Sequence, residues 1–344
     1  KIALRMVEHK AEQEQQTLLY GDYTLQQMMA ALGQFKGATA ITCDLEWTGG
    51  EHIQWPWTRG AELLSMSFAG KVDGKVITVG VSWPFPEHGD RVVQALFNAK
   101  PTAFHNAMAD LIWLTAKDFK VNLAGDSMLL AHLLEEEQPL SLDQVAIRWG
   151  GAKPGWKQSP EFRRPVTVPQ WERLLSYNCE DSHMTLSALE GLHAELRSRS
   201  DEERRKLTTL YRERVVPTVE TFVKMALVGM PMDLPLIELE IERSDAEQLK
   251  HAVALGQIIG VPPEHAQAIA MSPDQLLKLL QGRFNLPITS TSVAALEEYD
   301  DHPVVRESQA IRHESKFKGT YLIPWLHMGV EQGDARLHSV YRQI

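Results

Sequence analysis

The stretch from residue 40 to residue 81 constrains the fold most, because three strand-like segments follow one another there. ATAITCDLEW is typical of a short apolar strand, LLSMSFAG of a second and VDGKVITVGV of a third. The Asp73-Gly74 pair lies between alternating residues and predicts a tight turn that joins an antiparallel hairpin. A further short apolar strand is predicted at 102–104.

Apolar residues at helical spacing surround and follow these strands. They predict helices over residues 23–35, 90–98, 110–118, 126–137, 141–149 and 168–197. A mixed sheet covered by helices is an α/β domain, and we expect this one to end near residue 199. The rest of the chain is poor in strands and predicts a mainly helical region.

The chain has 344 residues, which is long enough for two domains of about 100 to 200 residues each. We predict a first domain over 1–199, a connecting helix and turn over 200–235, and a second region over 236–344. The charged run SRSDEERRK begins the connecting helix, Gly-Met-Pro at 229–231 stops it, and Asp233 caps the next helix.

The composition is that of a globular protein. Hydrophobic residues make up 44% of the chain and charged residues 23%, which excludes a disordered or low-complexity chain. No apolar run is long enough to cross a bilayer, and the first residues lack the apolar stretch of a signal peptide. Two cysteines are too few for a disulfide framework. We therefore expect a cytoplasmic protein with no membrane partner.

The formal net charge of −10 argues against a protein that coats duplex DNA through a basic surface. It does not exclude a nucleic-acid partner held by local basic clusters and by metal ions. Carboxylates around a divalent cation add acidity to a chain while creating a site for phosphate.

Two carboxylates lie close together in the first strand. Residues i and i+2 of a strand point to the same face, so Asp44 and Glu46 of CDLEW lie side by side while Cys43 and Leu45 face the other way. A divalent metal ion or a proton would relieve the repulsion between two such groups. The polar face of an edge strand is an equally good explanation for this motif alone.

Two further motifs carry acids. In FHNAMADLIWL, Asp110 lies four residues beyond Asn106 and one turn into a predicted helix. In SYNCEDSHMTL, Tyr177 and Asp181 are four residues apart and share one helical face. Taken singly, the first predicts a solvated helix residue and the second a local hydrogen bond.

Taken together, Asp44-x-Glu46, His105-Asn106 with Asp110, and Tyr177 with Asp181 resemble the three motifs of DEDD-type 3′-5′ exonucleases, in their tyrosine subclass. AFHNAMADLIWL, DSMLLAHLLEEE and SLDQVAIRWG are similar to segments of the proofreading domain of family-A DNA polymerases, the DNA polymerase I family. The resemblance spans about residues 25–196 and implies a ribonuclease H-like exonuclease domain.

The remainder resembles the thumb of the same polymerases. This holds for LYRERVVPTVETFVKMALVGMPMD, MSPDQLLKLLQGRFNLP, STSVAALEEY and HPVVRESQAIRHESKFKGTYL, and RLHSVYRQI resembles the first palm strand. The palm and fingers motifs of the family are absent from the sequence, so we expect no DNA synthesis by this polypeptide alone. The palm and fingers would belong to the rest of a longer chain or to a second polypeptide, and a bacteriophage or viral source would suit this arrangement.

The resemblance implies metal-assisted hydrolysis of the 3′-terminal phosphodiester of DNA, with release of nucleoside 5′-monophosphates by two Mg²⁺ or Mn²⁺ ions. Asp44 would bridge both ions, Glu46 and Asp181 would complete one site, and Asp110 would hold the second ion. Tyr177 would orient the attacking water.

The implied partners are a single-stranded 3′ end and primer-template DNA. Asn106 is a candidate contact to the terminal nucleotide, and Arg312, Lys316 and Lys318 are candidate phosphate contacts. Bases could stack on Trp47, Trp55, Trp57 or Trp156, although a loop packing its own tryptophans is the simpler interpretation of Trp-Pro-Trp.

Two other functions stay open at this point. A ribonuclease D-like RNA 3′ exonuclease shares the carboxylates but lacks the thumb-like tail. A catalytically silent DNA-binding subunit of a split polymerase would need neither the four acids nor Tyr177.

Overall fold

The computed structural model describes residues 5–7, 14–48, 55–161 and 164–341. The chain forms two compact units, of which the first contains residues 1–229 and 338–344 and the second residues 230–337. The division at residues 199 and 235 that the sequence predicts stays a prediction.

A seven-stranded sheet organises the first unit, in the order β1-β2-β5-β4-β3-β6-β7. The central strands β3, β4 and β5 are antiparallel, whereas β3, β6 and β7 run parallel, so the sheet is mixed as predicted. The bounds are β1 Arg5–Val7, β2 Glu14–Leu19, β3 Ile41–Trp47, β4 Leu63–Val72, β5 Lys75–Ser82, β6 Thr102–Phe104 and β7 Leu123–Asp126.

The predicted hairpin between β4 and β5 is confirmed. Val72 pairs with Lys75 across a two-residue turn, and both turn residues have positive φ, 50° for Asp73 and 78° for Gly74. A two-residue turn of this kind matches the twist of the strands and favours Asp-Gly.

Three strands of this sheet were not predicted from the sequence. β1 and β2 lie at one end of the sheet order and β7 at the other. Four of the six residues in EQQTLL of β2 are polar, and LAGD of β7 is short and contains glycine, so neither shows the apolar alternation by which strands are recognised.

Helices cover the sheet, and the predicted helices of the first domain are confirmed. Their bounds are α1 Leu25–Gly33, α2 Gly89–Ala99, α3 Ala107–Ala116, α4 Ser127–Leu134, α5 Leu142–Trp149, α6 Val168–Ser198, α7 Asp201–Leu210 and α8 Val216–Val228. The π-helical turn Tyr211–Val215 joins α7 to α8, so the predicted connecting helix is continuous. The long helix α6 begins at the capping box of Thr167 and Gln170.

The two faces of β3 have different environments. Ile41, Cys43 and Leu45 are buried in the main apolar core. The opposite face lies against α6, where the Thr42 hydroxyl donates to the Ser182 carbonyl at 2.7 Å. The alternation of the strand therefore directs Asp44 and Glu46 toward α6 and away from the apolar core.

The second unit is helical except for one short strand pair, in the part of it that the structure describes. Its elements are β8 Met230–Pro231, α9 Leu234–Ile259, α10 Pro263–Met271, α11 Pro273–Gly282, α12 Val293–Leu296, α13 Pro303–Phe317, α14 Ile323–Gln332 and β9 Arg336–Leu337. The predicted cap is confirmed, because the Asp233 carboxylate accepts a hydrogen bond from Leu236 N at 3.0 Å. The segment that resembles the first palm strand forms only β9, which pairs with β8, and its residues 342–344 lie outside the described residues.

None of the helices in the described part of the chain is both long enough and apolar enough to span a bilayer.

Candidate active site

Strand β3 and helix α6 bring three carboxylates together. Asp44 and Glu46 come from the strand, and Asp181 comes from the helix. One oxygen of each carboxylate lies within 4.8 Å of the others. This separation suits three ligands of one divalent cation.

Helix α3 contributes the fourth acid. Asp110 is buried, and its Oδ1 accepts a hydrogen bond from the backbone N–H of Leu45 at 3.0 Å. That N–H lies between Asp44 and Glu46 in the chain, so the bond fixes Asp110 against the strand. All four acids, together with Tyr177, His105 and Asn106, line one cavity of about 550 Å³.

A strained turn places α3 relative to the sheet. Asn106 precedes the helix with φ of 61°, a left-handed conformation that asparagine tolerates better than most residues. The buried carboxylate of Asp126 accepts hydrogen bonds from Asn106 N at 3.2 Å and Ala107 N at 2.7 Å. The same carboxylate caps α4 through Met128 N and Leu129 N. From the sequence, Asp126 was expected only to begin a helix.

Burial and mutual repulsion make ionisation of the acids unfavourable. Desolvation, followed by the charges of Asp181 and Asp110, raises the pKa of Asp44 well above its usual range. Desolvation and the Asp181 charge raise the pKa of Glu46 to about 8. Desolvation also raises the pKa of Asp110 and of Asp181. Carboxylates in this condition favour a cation among them.

Asn178 is a positioning residue that the sequence analysis missed. Its Nδ2 donates to Asp44 Oδ2 at 2.7 Å, and its backbone carbonyl accepts from the Ser67 hydroxyl at 2.7 Å. The residue is fully buried, so these bonds hold Asp44 in one orientation. Asn178 directly follows Tyr177 in the sequence. Because neighbouring residues of a helix point in different directions, helical spacing gave no reason to expect both side chains at the site.

Lys157 was also missed. Its Nζ lies 2.6 Å from Asp181 Oδ2, and its side chain is only 25% exposed. Burial opposes the charge of this ammonium group, but the neighbouring Asp181 raises the pKa of Lys157 above its usual range. The basic residues of the segment KPGWKQSPEFRR follow no helical or strand period, so the sequence gave no reason to single out Lys157.

Tyr177 lies on the same face of α6 as Asp181, as the spacing predicted. Burial raises the pKa of Tyr177 to about 12, and its hydroxyl lies 3.4 Å from Ser159 Oγ. The phenol therefore stays protonated at neutral pH and can donate a hydrogen bond into the cavity.

The residues present fit a divalent metal ion. Three carboxylates converge, and Asp181 Oδ1 is buried without a hydrogen-bond partner. Carboxylate oxygens are the ligands that Mg²⁺ and Mn²⁺ prefer. A bound cation would give the unpartnered Asp181 oxygen its partner.

The tryptophans beside the cavity stack mainly on one another. Trp47 lines the cavity and stacks on Trp55 at 6.4 Å between ring centroids, and Trp55 stacks on Trp57 at 5.7 Å. The other neighbour of Trp57 is His338, at 4.7 Å. The tryptophans of the Trp-Pro-Trp segment therefore pack against their own neighbours, and base stacking on them stays a prediction. Residues 49–54 of the same segment lie outside the described residues.

The predicted phosphate contacts lie in the second unit. The Arg312 guanidinium donates to Ala270 O at 2.6 Å and to Thr291 O at 2.8 Å. Lys318 forms an ion pair with Asp245, and Lys316 is exposed. A role in DNA binding stays a prediction for all three, and the exposed Lys316 is the best placed for it.

The fold is shared with a solved DNA polymerase. The POL domain of Pol1 from M. smegmatis, in complex with DNA primer-template and dNTP, superimposes with a TM-score of 0.71 at 17% sequence identity. The match covers 95% of this chain and 52% of that one, so this chain spans about half the length of the polymerase chain. No protein-family profile and no curated protein sequence matches the chain.

Proposed function

We propose that this chain is the 3′-5′ proofreading exonuclease part of a family-A DNA polymerase, with a ribonuclease H-like exonuclease domain and a thumb-like region. The observation that carries the proposal is the convergence of Asp44, Glu46, Asp110, Asp181 and Tyr177 on one cavity. Four acids at one place, two of them buried and two half-buried, destabilise a fold, and metal chemistry is a function that requires them. The polymerase-like fold supports a DNA-related role for the same chain.

Two Mg²⁺ or Mn²⁺ ions would be held by these residues. Asp44, Glu46 and Asp181 would hold one ion, and Asp110 would hold the second. When bound, the ions lower the pKa of the attacking water and stabilise the leaving 3′-oxygen. Water attacks phosphorus, the bond from phosphorus to the 3′-oxygen breaks, and a nucleoside 5′-monophosphate leaves while the shortened strand gains a 3′-hydroxyl.

Other residues of the chain hold the reacting groups. The protonated Tyr177 hydroxyl donates a hydrogen bond that orients the attacking water. Asn178 fixes Asp44, and Asn106 lines the cavity where the terminal nucleotide would lie. Lys316, together with Arg312 and Lys318, is proposed to contact the phosphates of primer-template DNA. Synthesis would need palm and fingers from the rest of a longer chain or from a second polypeptide.

The test is a degradation assay on a 5′-labelled primer-template with a mismatched 3′ end in Mg²⁺, with and without the four nucleotides. We expect stepwise shortening by the wild type, none by Asp44→Asn, and no extension. In Asp44→Asn the hydrogen bond to Asn178 is retained, so the loss reports on charge. Glu136→Gln is the matched control, because Glu136 is exposed and lies outside the cavity lining.

An RNA strand of the same sequence forms a second arm of the assay. A strong preference for RNA would favour the ribonuclease D-like function over the proposed one. Absence of shortening on both strands, with the wild type folded, would favour the silent DNA-binding subunit.

A further inference from the structure

The loop between α5 and α6 places an ammonium group inside the acidic cavity. Lys157 Nζ lies 2.6 Å from Asp181 Oδ2, 5.4 Å from the centroid of the Tyr177 ring and 6.0 Å from that of Trp156. Asp181 is 5% exposed, so this ion pair is largely removed from water. Among the described residues that line the cavity, Lys157 is the one lysine or arginine.

This group contacts one of the three carboxylates that could hold a metal ion. Asp181 offers one oxygen to Lys157, and its other oxygen has no hydrogen-bond partner. Glu46 and Asp44 approach within 4.8 Å of the same carboxylate. An ammonium and a divalent cation at this place would share ligands and repel one another.

We propose that Lys157 is a resident cation of the metal-free site, which competes with the divalent ion for Asp181 and leaves the site when the ion binds. The inference rests on the proposed function for the identity of the ion, but it does not depend on catalysis. Its consequence is that metal affinity is set by the cost of displacing Lys157 as well as by the four acids.

The loop has the backbone to make such a movement. Gly151 and Gly155 have φ of 71° and 79°, and space around both positions is open. Glycine changes between backbone conformations at low steric cost, which suits a segment that must move. Both glycines lie within six residues of Lys157 on its N-terminal side.

The first measurement is the dissociation constant for Mn²⁺ alone, without DNA, for wild type and Lys157→Met by calorimetry. We expect Lys157→Met to bind Mn²⁺ about tenfold more tightly or better, because the ion no longer breaks a charge-assisted hydrogen bond. Lys153→Met is the matched control, since Lys153 is exposed on the same loop and should leave the affinity unchanged. Equal or weaker binding by Lys157→Met would overturn the inference.

The second measurement uses the wild type, and so does not depend on whether the variant folds. Acetylation of lysine side chains, followed by mass spectrometry, reports the accessibility of each amine. We expect Mn²⁺ to increase acetylation of Lys157 severalfold and to leave Lys153 unchanged. In Asp181→Asn, Lys157 should already be reactive without metal. Acetylation of Lys157 that stays constant or falls on addition of Mn²⁺ would contradict displacement. In that case tighter Mn²⁺ binding by Lys157→Met would reflect only the removal of a positive charge near the ion.

The two proposals fail in different ways. Tighter Mn²⁺ binding by Lys157→Met and metal-dependent acetylation in a protein that does not shorten DNA would keep the resident cation and reject the exonuclease. Shortening of DNA without either effect would keep the exonuclease and reject the resident cation. Absence of Mn²⁺ binding by wild type and Lys157→Met alike would reject both.

Discussion

The two units treat buried charge in opposite ways. In the cavity of the first unit, desolvation raises the pKa of the clustered acids, and one lysine faces four carboxylates. In the second unit, Glu307 is also buried, but bonds from His251 and Arg306 outweigh desolvation and hold its pKa below the usual value. His251 Nδ1 lies 2.7 Å from Glu307 Oε2. The carboxylate of Glu307 has partners within the fold, whereas, among the described residues, the carboxylates of the cavity outnumber their one cationic partner. Such an excess of negative charge is typical of a site that binds a cation.

The largest test of this contrast is Asp110→Asn. The amide oxygen can keep the bond from Leu45 N, so only the charge is lost. We expect the nuclease rate to fall about a thousandfold, because the second ion contributes several kcal/mol to the transition state. At pH 9 without metal, the melting temperature should rise, since repulsion among the acids is relieved. A variant that is both inactive and less stable would mean that Asp110 is a structural residue.

In the second unit, we expect Arg312→Met to lower the stability of the fold, whereas Asp110→Asn should raise it in the first. Removal of the guanidinium leaves the carbonyls of Ala270 and Thr291 without their donor. We expect a loss of about 2 kcal/mol in the free energy of unfolding, measured with urea, because buried groups without partners cost about 1 to 3 kcal/mol each. Arg312→Lys should recover part of it. Unchanged stability together with weaker DNA binding would indicate that Arg312 contacts phosphate and does not stabilise the fold.

Tyr177→Phe tests the one neutral group assigned to the reaction. We expect the nuclease rate to fall about tenfold, since one hydrogen bond to water is lost while the metal ligands remain. Mn²⁺ affinity should not change. A rate as low as that of Asp44→Asn would contradict the positioning role.

The pH dependence of stability tests the excess charge directly. The pKa of Glu46 is about 8 in the folded protein, above its ordinary value near 4.5. The folded state therefore binds more protons than the unfolded state between these values, so this contribution to stability is lost as the pH rises toward 8 and beyond. We expect the melting temperature without metal to fall by a few degrees between pH 6 and pH 9, and Glu46→Gln to reduce that fall. An identical pH profile for Glu46→Gln would show that Glu46 does not titrate in this window.

The smallest effect is expected from Lys316→Glu. Lys316 is exposed, in contrast to Arg312 and to Lys318 with its partner Asp245. We expect primer-template affinity to fall a few-fold, with a shallower salt dependence and unchanged stability. His313→Glu on the same helix is a suitable comparison, because it places the same charge one turn away. Unchanged affinity for Lys316→Glu would place the DNA elsewhere.

The sequence predicted those parts of the site that follow a regular period. Alternation in β3 placed Asp44 and Glu46 on one face, and helical spacing placed Tyr177 with Asp181. Asp110 could be added only through the resemblance to known exonuclease motifs. The contacts of Lys157 with Asp181 and of Asn178 with Asp44 join residues far apart in the sequence. No periodic pattern reveals such contacts, so these two residues were not predicted. The outer strands were missed for a related reason, since their pairing depends on neighbours more than on their own apolar pattern.

The buried phenol of Tyr211 links the connecting helix to the turn at Asn106, before α3. Tyr211, in the π-helical turn, accepts from Asp126 N at 2.6 Å and donates to Asp126 O at 2.9 Å. A Cβ on Gly125 would come within 2.9 Å of the hydroxyl, so the contact tolerates no larger residue there. The carboxylate of Asp126 in turn holds the start of α3. The hydroxyl of one residue in the connecting helix therefore helps to fix the start of α3, the helix that carries Asp110.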